Sequence, residues 1–141
     1  MRKRFKINNK MEELSRVRIE IERDMVSLGF ADESRSDVQL ICEEVLCNII
    51  SYGFPKPGNE CMEMQFVFDG HSLTLEFIDN GIAFDPLKRP DPDLGDPDAE
   101  DRPVGGLGIF LVKELTEQQT YERRADKNHL TITRSISLLE D

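Results

Sequence analysis

No stretch of this chain approaches the ~18 consecutive apolar residues that a membrane-spanning helix needs, so a bilayer span is not expected. The basic start MRKRFKINNK is followed by no apolar segment, which argues against a secretory leader. Positive charge is scarce: 18 Lys and Arg stand against 28 Asp and Glu, a net charge of -10. Nucleic acid and anionic membrane surfaces both demand a basic footprint, so neither is the expected partner. A protein with a basic patch, or a ligand that brings its own cation, fits better. Cysteine is sparse as well. Cys42, Cys47 and Cys61 are odd in number and lack Cys-x-x-Cys spacing, which excludes a disulfide framework and a zinc site of the usual kinds. Reduced thiols in the cytoplasm are the expectation, with Cys42 and Cys47 packing as small hydrophobes.

What remains is one domain. A length of 141 residues supports a single core but not two. The short alternation in RFKINNK predicts a first strand. Leu14, Val17, Ile21, Met25 and Leu28 recur at steps of three and four, which predicts an amphipathic helix closed by Gly29. A second helix opens near Asp32 or Ser34 and is blocked at Pro55. Met62, Met64, Phe66 and Phe68, then Leu73, Leu75 and Phe77, alternate as two strands meeting at Asp69-Gly70. Residues 79 to 103 are rich in Asp and Pro and poor in large apolar residues, the mark of a long functional or mobile loop. GGLGIFLVKEL reads as a glycine-opened helix, and QQTYERRA with NHLTITRSISLL as a closing hairpin turning near Asp126-Lys127-Asn128. The order β-α-α-β-β-loop-α-β-β predicts an α+β, two-layer sandwich: one mainly antiparallel sheet with helices on one face.

Three stretches carry more than packing. In EEVLCNIISYGF, residues 43–54, the apolar stripe formed by Val38, Ile41, Val45, Ile49 and Tyr52 has Asn48 inside it. Glu44 lies one helical turn before Asn48 and points the same way. An amide there can bond the neighbouring backbone, leaving Glu44 solvated. It can equally hold a divalent cation beside a carboxylate poised over a reacting group. In IDNGIAFDP, residues 78–86, Asn80-Gly81 can be a hairpin turn, but the segment after it is too short for a good partner strand. Asp79 can instead accept from an exocyclic amine while Gly81 lets the backbone approach a flat ligand. In RPVGGLGIFLV, residues 102–112, Gly105, Gly106 and Gly108 open a helix whose free amides suit phosphate oxygens, or else allow close helix packing. No Gly-Lys-Ser/Thr follows, so this is not a Walker A loop.

Taken together, E-x-x-x-N on a helix, D-x-G-x-x-F-D-P after a strand, and G-G-x-G-x-x-L-V resemble the asparagine box and the two glycine boxes of the GHKL (histidine-kinase-like) ATPase superfamily. More closely they resemble the anti-sigma factor serine/threonine protein kinases, over nearly the whole chain. The resemblance implies a Bergerat-type fold in a single domain over residues 1–141. It implies ATP and Mg²⁺ as ligands, Glu44 as catalytic base and Asn48 as metal ligand. It implies that Asp79 reads the adenine amine with Gly81 beside it, and that Gly105, Gly106 and Gly108 contact phosphates. The implied partners are a STAS-type anti-anti-sigma protein as phosphoacceptor and a sigma factor as the sequestered target, and a homodimer is compatible. A catalytically silent ATP-binding switch of the same fold, with an output other than a sigma factor, is the alternative. The catalytic domain of a histidine kinase fits less well, because a dimerising phosphoacceptor helix is missing. Asp91, Asp93, Asp96 and Asp98 fail the EF-hand spacing and read as a solvated loop, and Arg102 can reach either a phosphate or a core carboxylate. His71 and His129 read as surface residues.

Overall fold

The computed structural model describes residues 1–55, 58, 60–88 and 106–140. Five strands form one antiparallel sheet in the order β1-β2-β3-β5-β4, with β1 at Arg2–Asn8, β2 at Cys61–Phe68, β3 at Ser72–Asp79, β4 at Gln118–Arg124 and β5 at Lys127–Ser135. Helices α1 (Glu13–Ser27), α2 (Asp32–Tyr52) and α3 (Gly106–Glu114) accompany it, and a 3-10 turn spans Pro86–Lys88. The expected element order and the α+β sandwich are both present. Among the described residues no helix is long and apolar enough to cross a membrane.

Strands β1, β2, β3 and β5 show the two-residue period that makes a half-buried sheet. Met62, Met64, Phe66 and Phe68 of β2 and Leu73, Leu75 and Phe77 of β3 are buried, while the residues between them are not. Helix α1 buries Val17, Ile21 and Met25 against this face, and α2 buries Val38, Ile41, Cys42, Val45, Leu46 and Ile50. Phe30, in the α1–α2 corner, packs edge-on to Phe68 with ring centroids 4.8 Å apart and stacks near Phe66 at 6.3 Å.

Helix α1 stops for a stated reason. Gly29 takes φ +80°, its N–H donates to the Val26 carbonyl, and the Phe30 N–H donates to the Met25 carbonyl. These two bonds satisfy carbonyls that the helix end would otherwise strand. Asp32 and Glu33 in the first turn of α2 complement the positive end of its dipole. Near the other end of the sheet, Arg134 of β5 donates to the Leu115 carbonyl just past α3 and pairs with Asp37 of α2 at 2.7 Å. One side chain thus ties both helices to the sheet.

Three local expectations need correction. The closing hairpin turns at Ala125 and Asp126, which take φ +52° and +62°, so Lys127 and Asn128 belong to β5. Tyr52 is 39% exposed at the helix end rather than part of the buried stripe. His129 is not a free surface residue: its side chain is 12% exposed and its Nδ1 lies 3.1 Å from Glu76.

Candidate functional site

The C-terminal half of α2 faces the start of α3, and two polar side chains stand at that seam. Glu44 and Asn48 are both half-buried. The Oδ1 of Asn48 is fully buried and, among the described residues, has no hydrogen-bond partner. A stranded buried acceptor costs about 1–3 kcal/mol, and no described residue supplies a donor to recover it. A divalent cation fits this oxygen, since an amide oxygen is an ordinary hard ligand for Mg²⁺.

Helix α3 approaches this seam through glycine. A Cβ at Gly108 would run into the Glu44 carboxylate, so glycine here leaves that carboxylate in its place between the two helices. Gly106 lies in the same first turn, whereas Gly105 lies outside the described residues. The acidic stretch with Asp91, Asp93, Asp96, Asp98 and Arg102 also lies outside them.

Asp79 ends β3 and is 5% exposed. Its Oδ1 accepts from the Gly81 N–H at 2.9 Å and from Asn128 Nδ2 at 3.0 Å. The Asn80-Gly81 step is not a hairpin turn. The Ile82 N–H donates to the Gly53 carbonyl at 2.9 Å, stitching this loop to the C-terminal end of α2. Gly81 is required by that stitch, because a Cβ there would overlap the Gly53 carbonyl. Arg123 of β4 fastens the same loop by donating to the Gly81 carbonyl at 2.9 Å. Between these elements lies a cavity lined by Asn48, Asp79, Ile82, Ile109, Tyr121 and Asn128, among others. Its walls are mostly apolar and aromatic, with Asn48, Asp79 and Asn128 as polar residues among them, which is the composition of a small-molecule site.

The structure therefore brings Asn48 and Asp79 to one cavity, holds Gly81 in the loop against Asp79 and Gly53, and sets Glu44 beside Gly108. Glu43 is turned elsewhere: it is 53% exposed and lies 3.8 Å from Arg18 of α1. Burial pushes the Cys42 thiol up to about 12, which makes it a packing residue without thiolate chemistry. The Cys47 thiol is raised by burial first and then by the Glu43 and Glu44 carboxylates. Sequence reasoning missed Asn128 and Tyr121. One signal was available for Asn128, since it occupies an inward position in the alternation that continues through Leu130 and Ile132.

Residues 7–134 match the histidine kinase-like ATPase domain. Among curated relatives, the serine/threonine-protein kinase BtrW of Bordetella bronchiseptica is 30% identical over 99 residues, 70% of this chain and 69% of that one. The serine-protein kinase RsbW of Listeria monocytogenes is 28% identical over 93 residues, 63% of this chain and 59% of that one. The crystal structure of the RsbU and RsbW domains of Rv1364c from Mycobacterium tuberculosis is similar in fold, with a TM-score of 0.68 at 12% identity, covering 96% of this chain and 32% of that chain.

Proposed function

We propose, from the premise that this chain belongs to the histidine kinase-like ATPase domain family, that it is an ATP-dependent protein serine/threonine kinase. Its phosphoacceptor is a STAS-type antagonist protein, and the pair controls a sigma factor by partner switching in the cytoplasm. The whole chain acts as one such domain. The observation that carries this reading is that Asn48, whose buried Oδ1 has no hydrogen-bond partner among the described residues, lines the same cavity as Asp79.

Asn48 would hold Mg²⁺, which when bound neutralises charge on the phosphates. Asp79 accepts from the exocyclic amine of adenine, and the first turn of α3, with Gly106 and Gly108, gives the phosphates close access to backbone amides. Glu44 stays free of the metal and accepts the proton of the serine or threonine hydroxyl. As that oxygen bonds to the γ-phosphorus, the bond from the γ-phosphorus to the bridging oxygen breaks, and ADP leaves with that oxygen. The relatives named as serine and serine/threonine kinases support this assignment. The decisive experiment incubates the purified protein with its antagonist, ATP and Mg²⁺. Phosphoserine or phosphothreonine on the antagonist is expected, and nucleotide binding without phosphate transfer would leave a silent binding module instead.

Asn48→Ala separates metal from fold. Among the described residues its amide oxygen makes no bond to lose, so apo stability stays within about 1 kcal/mol of wild type. In wild type, Mg²⁺ strengthens ATP binding. In the variant that gain falls roughly tenfold or more, the effect of losing one charge-assisted contact. Calorimetry with Mg²⁺ and with EDTA checks it, and a full Mg²⁺ gain in Asn48→Ala would remove Asn48 from the metal site.

A further inference from the structure

Asn128 is a polar residue where the sheet pattern calls for an apolar one, and it is 6% exposed. The β3–β5 register sets it directly opposite Asp79. All four of its hydrogen-bonding valences are used. Nδ2 donates to Asp79 Oδ1 at 3.0 Å and to the Ile82 carbonyl at 2.8 Å. Oδ1 accepts from the Tyr121 hydroxyl and, at 3.4 Å, from the Phe84 N–H. The amide cannot be turned over, because a flip would set its oxygen against a carboxylate and a carbonyl.

The effect falls on Asp79. Two donors, Asn128 Nδ2 and the Gly81 N–H, converge on Oδ1 alone. Among the described residues none reaches Oδ2. The carboxylate is therefore clamped by one oxygen with the other left to accept. Tyr121, whose hydroxyl orients the amide, also lines the cavity.

We propose that Asn128 is the positioning residue that aims Asp79 at the purine and so sets the preference for a 6-amino over a 6-oxo base. The inference rests on the reading that this cavity takes ATP. A 6-amino group donates to the free oxygen of Asp79. A 6-oxo group presents an acceptor to an acceptor, and an unpaired buried pair of that kind discriminates strongly. Discrimination depends on Asp79 being unable to turn its occupied oxygen away and offer a different face. Asn128, through its bond to Asp79 and its second bond across to Ile82, removes that freedom.

The test measures binding, by calorimetry, of ATP and of ITP, which carries the 6-oxo group without a 2-amine. Wild type is expected to favour ATP. Asn128→Ala should weaken ATP binding roughly 10- to 100-fold, the range for stranding a partner of a buried charged group. ITP binding should change little, so the ATP/ITP ratio falls by nearly the same factor. Tyr121→Phe keeps the ring in the cavity wall and loosens only the amide, so the ratio should fall by a smaller factor in a protein that folds normally. In an Asp79→Asn background, Asn128→Ala should bring no further loss of selectivity, because it acts through Asp79. With the kinase assayed in parallel, the KM for ATP should rise while kcat holds. A wild-type protein that binds neither nucleotide would overturn the ATP reading itself. ATP binding with an unchanged ratio in both Asn128→Ala and Tyr121→Phe, or an equal loss of ATP and ITP, would overturn the role given to Asn128 and leave the ATP reading standing.

Discussion

Glu44→Gln binds ATP and its protein partner nearly as wild type does, yet transfers phosphate roughly 10²–10⁴-fold more slowly, the usual size of a general-base contribution. Glutamine keeps the length and planar shape of the side chain, so the contact with Gly108 survives. What it loses is the capacity to take the hydroxyl proton. Glu43 cannot substitute, because it is held toward Arg18 on the α1 side of the helix. Single-turnover phosphorylation of the antagonist, alongside nucleotide affinity, checks the split. Transfer at the wild-type rate would place the base elsewhere, and equal loss of binding and transfer would make Glu44 a structural residue.

Gly108→Ala gives the complementary result: a protein at least as stable as wild type that is a poor kinase. Within a helix, alanine is favoured over glycine by about 1 kcal/mol. The new methyl collides with the far end of the Glu44 side chain rather than with backbone, so the fold can yield by moving that carboxylate. Moving a reacting group by about 1 Å lowers transfer by roughly 10²-fold. Thermal unfolding should show an unchanged or raised midpoint, and the phosphorylation assay the loss. In a Glu44→Ala background the same substitution should bring no further loss, since the group it displaces is gone. Independent, multiplicative effects in the double variant would show that Gly108 acts on something other than Glu44.

Much of this was legible in the chain because its signals are local. Helix α2 is written in the spacing of Val38, Ile41, Val45 and Ile49 and in the Pro55 stop. Gly29 marks the end of α1 because a positive φ needs it. Glu44 and Asn48 sit one helical turn apart, and Asp79 and Gly81 two residues apart, so short motifs bring each pair together. The largest miss is non-local. Asn128 meets Asp79 across 49 positions, and only the β3–β5 register creates that contact. The closing turn was misplaced because Asp126, Lys127 and Asn128 all look like turn residues, whereas the Arg124–Lys127 and Arg123–Asn128 pairings confine the turn to Ala125 and Asp126. Tyr52 has the spacing of a core residue but falls at the helix end, beside the cavity.

The strand order has a kinetic consequence. β3 pairs on one side with β2 through a three-residue connection, and on the other with β5 across a long segment of chain. The hairpin closes early, whereas the β3–β5 seam waits for a large loop to close, which is the slow kind of contact. The end of the cavity formed by Asp79 and Asn128 straddles that seam, so it matures late in folding. Nucleotide bound there would then act as a brake on opening: it should slow unfolding and leave the refolding rate nearly unchanged, because the contacts it reinforces form after the rate-limiting step.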